Sequence, residues 1–278
     1  MVRVTGSATD PELGDHVCLP FLGDRERRDT TRLFALNGLR RRTKVLIITH
    51  TDSPDRTRAW LTPLVPGFDE AESAGRIEIV GSAATHLTGG RLDPGRALDG
   101  LASARERARA QGHRGLYALV DASWGVHDPP GQAAFESAVN ALFGQGGLAA
   151  VCQYDRALFP REALDRVTAA HPISPEQALL RHITLSSPPG VRLWGDVDLT
   201  NRQAFASILA PLREEPEDVV IDATGLDFID AGSAQLLVAT ALARGPGRTV
   251  VACGSPLARL LHLLKAGDAL GVRLTGDV

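Results

Sequence analysis

Asp222-Ala-Thr-Gly-Leu-Asp-Phe-Ile-Asp-Ala-Gly-Ser-Ala-Gln-Leu-Leu-Val238 decides how the last third of this chain folds. The apolar run Val219-Val220-Ile221 precedes it and a helical pattern follows it. The stretch therefore reads as a strand, a loop rich in Asp, Gly and Ser, and a helix start. The first N–H groups of a helix have no partner inside the helix, so such a start takes a side-chain cap, an anion or an acidic group of a partner. Asp230 is placed to cap the helix, and Ser233 falls in its first turn as a cap or a small packed residue. Thr224 satisfies the loop backbone, as Thr does in turns. Neither Asp222 nor Asp230 has a His or second carboxylate beside it in sequence, which argues against acid–base chemistry there.

Outward from this stretch, strands and helices alternate. Val191–Leu199 supplies a strand and an edge, and Asn201–Leu212 is helical with Thr200 as the expected cap. Gly232–Arg244 is helical, Arg248–Cys253 a strand, Pro256–Ala266 a helix and Val272–Leu274 a short strand. Ser186-Ser-Pro-Pro-Gly190 is a turn-rich break, so the boundary is expected near residues 181–188. Upstream, the expected strands are His16–Phe21, Lys44–Thr49, Arg76–Val80, Gly115–Val120 and Gly147–Cys152, several of them uninterrupted apolar runs as in strands covered on both faces. Helical segments are expected near 24–42, 53–64, 95–112, 130–145 and 160–169. This alternation predicts an α/β domain with a mostly parallel sheet over residues 14–182, a smaller α/β domain over 183–278 and a flexible N-terminus over 1–13.

The chain has 278 residues, room for two domains, with 44% hydrophobic and 23% charged residues and a net charge of −3. That balance gives no footprint for nucleic acid, and the local clusters Arg25–Arg28 and Arg40–Arg42 read as solvated helix faces. Aromatic residues at 5% supply no base-stacking surface. The three cysteines, Cys18, Cys152 and Cys253, fit neither a zinc motif nor a disulfide framework, and they point to a reducing cytoplasm. No membrane span and no signal peptide are expected.

Three segments together resemble the STAS domain, the fold of anti-sigma factor antagonists: Trp194-Gly-Asp-Val-Asp-Leu-Thr200, the loop quoted first, and Val250-Val-Ala-Cys-Gly-Ser-Pro-Leu-Ala-Arg-Leu-Leu261. The resemblance implies a protein partner, an anti-sigma factor or its kinase. In that family the loop usually reads Asp-Ser-Ser-Gly, and its first Ser is phosphorylated by the partner kinase. The matching positions here are Asp230-Ala231-Gly232-Ser233, so the usual acceptor hydroxyl is missing. Phosphate adds about 1.5–2 negative charges and acts by repulsion and desolvation, and Ala231 cannot carry it. Ser233 is the remaining candidate phosphosite, with Thr224 the weaker alternative.

The N-terminal part resembles the MEDS sensory domain over about residues 12–175. The residues that carry this are His16-Val-Cys-Leu-Pro-Phe21, Ala118-Leu-Val-Asp-Ala-Ser-Trp124, Ala149-Ala-Val-Cys-Gln-Tyr-Asp-Arg-Ala-Leu-Phe159 and Ala170-His-Pro172. The resemblance implies a degenerate relative of the RecA/KaiC ATPase fold that senses a small, apolar ligand. A phosphate loop would need Gly-Lys-Ser/Thr after the first strand, whereas this chain reads Leu19-Pro-Phe-Leu-Gly-Asp-Arg25. Asp121, at the Walker B place, then orders a loop. Ligands of open α/β sheets sit at the carboxyl ends of the strands, so the candidates there are His16, Cys18, Phe21, Asp121, Trp124, Cys152, Tyr154 and Asp155.

Each candidate also has a plain reading. Cys18 and Cys152 read as small buried hydrophobes, and His16 and His171 as structural histidines rather than metal or heme ligands. Glu136 and Asn140, four apart on one helix face, read as a hydrogen-bonding pair, and Arg156 as half of an ion pair. No cofactor and no metal are expected. The leading expectation is a non-enzymatic cytoplasmic regulator with a ligand-sensing domain coupled to a protein-docking domain. Two alternatives stand beside it: a thiol enzyme using Cys18 or Cys152 with a histidine, and an oligomeric scaffold, in its simplest form a homodimer, built by the C-terminal domain.

Overall fold

The computed structural model describes residues 8–175, 177–245 and 247–274. By contacts the chain falls into two units, Met1–Thr168 and Ala169–Val278.

The first unit is built on five parallel strands: β1 (His16–Phe21), β2 (Lys44–Thr49), β3 (Ile77–Gly81), β6 (Leu116–Asp121) and β7 (Leu148–Asp155), in the order β1-β7-β6-β2-β3. Their crossovers are helical: α1 (Asp24–Arg40), α2 (Pro54–Leu61), α3 (Phe68–Ser73), α4 (Ser82–Thr85), α5 (Pro94–Ala110), α6 (Pro129–Gly144) and α7 (Arg161–Ala170). A small hairpin of β4 (Leu87–Thr88) and β5 (Arg91–Leu92) sits between α4 and α5. Three helices begin the same way, with an oxygen-bearing cap followed by proline. Ser53 accepts the Arg56 N–H at 3.2 Å, Asp93 the Arg96 N–H at 3.0 Å and Asp128 the Gly131 N–H at 3.1 Å. Proline at the next position lacks the N–H that has no partner there anyway.

Alternate strand residues face opposite sides, and both sides are covered. On one side α1 lies close. Phe34 packs on Tyr117 at 5.4 Å between ring centroids, and a Cβ on Gly38 would come within 2.5 Å of Val45. On the other side α5 and α6 cover Leu46, Ile48, Leu116, Ala118 and Ala150, with Val139, Leu142 and Phe143 among the covering side chains.

The second unit is also α/β. Its five-stranded sheet runs β12-β11-β10-β9-β8, from β8 (Leu180–Ser186), β9 (Pro189–Val197), β10 (Val219–Ile229), β11 (Thr249–Cys253) and β12 (Gly271–Leu274). Only β8 and β9 pair antiparallel. With α8 (Arg202–Leu209), α9 (Ala231–Leu242) and α10 (Ser255–Leu263), the sheet encloses one apolar core containing Leu193, Phe205, Ile221, Leu237 and Leu261.

The fold class is the one expected, with local differences. Residues 180–186 form β8, so Ser186–Gly190 holds a hairpin turn rather than a linker. The alternation Leu180-Arg-His182, with both ends buried, is the signal of that strand. Thr200 does not cap α8: its hydroxyl is tied to Asp198 at 2.5 Å, and Asn201 is the residue before the helix. Residues 8–13 were expected to be loose, yet Ala8 is buried, Asn37 donates to the Thr9 carbonyl at 2.9 Å, Asp10 pairs with Arg41 and the Tyr117 hydroxyl donates to the Pro11 carbonyl. The remainder of that expected N-terminal segment, residues 1–7, lies outside the described residues.

Candidate functional site

On α5 the cavity is lined by the buried Ala97 and Ala104 and by Gly100, which is exposed. These side chains are too small to fill the space above Leu46, Ile48, Val80 and Val120. Well-packed interiors leave few voids larger than a water molecule, yet here a cavity of about 770 Å³ lies between α5, α6 and the sheet. It therefore opens over the face of the sheet, not in a crevice at the strand ends where the sequence reading put it. The reason is the run of small residues on α5, which the strand pattern alone does not reveal. Lys44, Glu78, Asp99 and Arg107 add charged groups to the lining.

Two polar groups on the wall have no hydrogen-bond partner among the described residues: Trp124 Nε1 and His86 Nε2. Both residues are 6% exposed, and their rings lie 5.1 Å apart. A buried N–H without a partner costs about 1–3 kcal/mol. Burial lowers the His86 pKa to about 4, with His50 and Arg96 adding to the effect and Glu136 opposing it. Arg96 is engaged elsewhere, donating to the carbonyls of Leu87 and Ala84.

A second polar group closes the cavity. His16 from β1 stacks on Phe143, with ring centroids 4.4 Å apart and planes within 9°. Its Nδ1 meets Asn140 Oδ1 at 2.7 Å, and its Nε2 lies 3.3 Å from Glu136 Oε2. Cys152 Sγ is 3.7 Å from His16 Nε2 and 4.0 Å from Glu136 Oε2. The Tyr154 hydroxyl donates to Glu136 Oε1 at 2.7 Å. All five polar residues are buried. Burial, with the Glu136 carboxylate nearby, pushes both the Cys152 thiol and the Tyr154 phenol well above their ordinary values.

Of the eight ligand candidates, His16, Trp124 and Cys152 line the cavity. Tyr154 is not part of the lining but donates to Glu136, which is. Cys18 lies in an adjoining apolar cluster with Tyr154 and Phe159, its Sγ 3.7 Å from the Thr168 hydroxyl, and burial raises its pKa. Phe21 alternates to the other side of β1 from His16 and Cys18. Asp155 turns its carboxylate onto the Ala157 N–H at 2.8 Å.

Asp121 accepts the N–H groups of Thr51 at 2.7 Å and Ser123 at 3.1 Å. Burial pushes its pKa up, but these hydrogen bonds outweigh that and hold it below the usual value. It orders two loops, as expected from the missing phosphate loop. At the β1–α1 turn only Leu22 and Gly23 separate strand from helix, and the Glu26 carboxylate accepts the Leu22 N–H at 2.8 Å. An acidic side chain thus sits where a phosphate would need donors.

Sequence reasoning missed Glu136 as a site residue. Its signal was there: Glu136 and Asn140 lie on the same buried side of α6 as Ala133, Val139 and Phe143, where a polar pair needs a buried partner. That partner is His16. His171, the other histidine weighed from the sequence, is buried and belongs to the second contact unit.

In the second unit, Asp230 caps α9 by accepting the Ser233 N–H at 2.6 Å. Arg202 of α8 donates to Asp230 Oδ2 at 2.7 Å and to the Ser233 hydroxyl at 3.3 Å. Ser233 is fully buried, whereas Ala231 is exposed. A Cβ on Gly232 would come within 2.6 Å of the Arg202 guanidinium, so glycine lets that side chain lie across the helix start. Asp222 takes the Thr224 hydroxyl at 2.6 Å and Arg192 at 2.7 Å. Burial raises the pKa of Asp222 and of Asp230, and these donors outweigh it, leaving both lowered. Near the same end of the sheet Leu199 is 72% and Phe228 54% exposed.

The chain thus joins an α/β domain with a cavity over a parallel sheet to a smaller α/β domain with a capped and saturated loop. A family profile described as MEDS, the MEthanogen/methylotroph, DcmR Sensory domain, matches residues 15–172, and one described as Mlab, STAS domain, matches residues 184–277. The chain belongs to the MEDS family and carries a STAS domain after it, a combination that fits a signalling or regulatory role.

Among solved structures, a KaiC-like protein, PH0186, from Pyrococcus horikoshii OT3 aligns with a TM-score of 0.41 and 11% identity, over 67% of this chain and 78% of that one. The flagellar accessory protein FlaH from Methanocaldococcus jannaschii aligns with a TM-score of 0.39 and 9% identity, over 65% and 78%. No curated protein matches the chain. Among the described residues no helix is long and apolar enough to cross a membrane.

Proposed function

We propose that this chain is a non-enzymatic cytoplasmic regulator whose MEDS domain binds a small, mainly apolar molecule and whose STAS domain docks on an anti-sigma factor or its kinase. The observation that carries the proposal is the cavity of about 770 Å³ with the unpartnered Trp124 Nε1 and His86 Nε2 on its wall. Volumes of this order are usual for small-molecule sites, which are apolar with a few placed polar groups. The ligand is one that accepts a hydrogen bond, as an alcohol, ketone or ether does. The raised pKa values of Cys18 and Cys152 speak against a thiol nucleophile, which needs the opposite. The acidic β1–α1 turn speaks against nucleotide hydrolysis.

The docking surface is the exposed group of Leu199, Phe228 and Ala231. Control by phosphate at this loop has been given up, because Ala231 lacks a hydroxyl and that of Ser233 is buried against Arg202. Ligand binding then alters docking only as far as the ligand prefers one conformation over another.

The test is incubation of the full chain with the partner kinase and ATP, followed by mass spectrometry. The unsubstituted chain is expected to take up no phosphate, and Ala231→Ser one. Stoichiometric phosphate on residues 224–233 of the unsubstituted chain contradicts phosphorylation-independent docking. In a binding titration against the partner, Phe228→Asp is expected to weaken the complex at least about tenfold, the cost of burying a charge in an apolar contact.

A further inference from the structure

We propose that the polar end of the cavity is a transition-metal site in which His16 Nε2, Glu136 Oε2 and Cys152 Sγ hold a divalent ion of the zinc type. The proposal rests on the geometry of the cavity and not on what the rest of the cavity binds.

The three ligand atoms come from three elements, β1, α6 and β7, yet lie 3.3, 3.7 and 4.0 Å from one another. Zinc binds His nitrogen and carboxylate oxygen at about 2.0–2.2 Å and Cys sulfur at about 2.3 Å, so a tetrahedral shell sets its donors roughly 3.3–3.6 Å apart. The observed triangle matches within a few tenths of an ångström. A fourth ligand, from the chain or from solvent, completes the shell.

The surroundings fit ligation as well. The Nδ1 of His16 donates to Asn140 Oδ1, which leaves the lone pair of Nε2 facing Glu136 and Cys152. A ligating histidine characteristically donates its other ring N–H to such an acceptor, which fixes tautomer and orientation. Phe143 stacked on the ring holds its plane. The Tyr154 hydroxyl donates to Glu136 Oε1, the oxygen other than the one that lies near His16 and Cys152. Each of these groups is at most 5% exposed.

Charge gives the chemical reason. Cys152 binds as thiolate, its proton leaving to solvent, and the thiolate and carboxylate together neutralise a divalent cation. Imidazole, thiolate and carboxylate form a borderline-soft set that suits zinc, cobalt or iron and not calcium or magnesium. All three ligand residues line the cavity, so an entry path exists. The competing account is a metal-free buried ion pair between a charged His16 and Glu136, with Cys152 a bystander thiol.

The two are separated by titrating full-length, tag-free, chelator-stripped protein with Co²⁺ alone. Expected are saturation at about one Co²⁺ per chain, visible bands of a four-coordinate ion and a near-ultraviolet thiolate-to-cobalt band. Cys152→Ser, almost the same size, is expected to lose that band and to weaken binding at least about tenfold. Cys253→Ser, in the other contact unit, is expected to retain both. Asn140→Ala, which removes only the orienting acceptor, is expected to weaken binding by about 10–100-fold. Circular dichroism checks that each variant is folded, and Glu136→Gln gives a second same-size probe if Cys152→Ser is not. Failure of the folded wild-type protein to take up stoichiometric Co²⁺ overturns the proposal. So does a thiolate band that survives Cys152→Ser, or unchanged affinity in folded Glu136→Gln. None of these results bears on small-molecule binding at Trp124, which is measured separately.

Discussion

The two domains treat their buried polar groups in opposite ways. At the start of α9, Asp230, Ser233 and Arg202 satisfy one another, and the Ser233 hydroxyl is consumed inside that network. Around the cavity, Trp124 Nε1 and His86 Nε2 are buried without a hydrogen-bond partner among the described residues. A saturated network fixes a surface, whereas a buried indole N–H such as that of Trp124 is left without a compensating partner. On the proposed function, the first domain receives a ligand and the second presents a fixed face.

Packing extends the contrast. Phe205 is fully buried in the core of the second domain, and Phe205→Ala is expected to lower unfolding stability by about 3–5 kcal/mol in urea melts. Enlarging alanines asks the question more sharply. Ala234→Leu forces extra atoms into a filled core and is expected to cost about 1–3 kcal/mol. Ala104→Leu points into the cavity and is expected to cost less than about 1 kcal/mol, since the added atoms enter open space. Equal costs at the two positions would erase the contrast.

The network at α9 gives a smaller effect. Asp230→Ala removes the cap and the partner of Arg202 together and is expected to cost about 1–2 kcal/mol in the same melts. Ser233→Ala leaves the cap carboxylate in place and is expected to cost about 1 kcal/mol or less.

Much of this was legible in the chain. The apolar runs of β1, β2 and β6 and their alternation with helical patterns announced the parallel sheet, and the order of Asp230, Ala231 and Ser233 announced a loop without its acceptor. The cavity was not legible, because it depends on which side of α5 meets the sheet, and Ala97, Gly100 and Ala104 read in sequence as ordinary helix residues. Nor was the grouping of His16, Glu136 and Cys152, since His16 and Glu136 stand 120 positions apart in the chain and only the β1–β7 register brings His16 beside Ala150. Cys18, two residues along the same side of β1 as His16, joined the apolar cluster next door, a division that strand alternation alone does not make.

A separate effect concerns pH. His86 is neutral in the fold down to about pH 4, against an ordinary value of 6.5. The unfolded chain therefore binds a proton first as pH falls, so the contribution of neutral His86 is complete above pH 6.5 and is lost on the way down to about 4. The difference in urea stability between pH 7 and pH 5 is expected to be smaller in His86→Gln than in the wild-type chain.

The central claim, that the cavity receives a small acceptor-bearing molecule at Trp124, is tested most directly by the fluorescence of that residue. With Trp60 and Trp194 replaced by Phe, Trp124 is the sole tryptophan. Titration with short alcohols, ketones and ethers is expected to give a saturable shift in its emission for at least one class, and Ala104→Phe, which fills the cavity, is expected to abolish it. No saturable change with any class, or the same change in Ala104→Phe, contradicts the account.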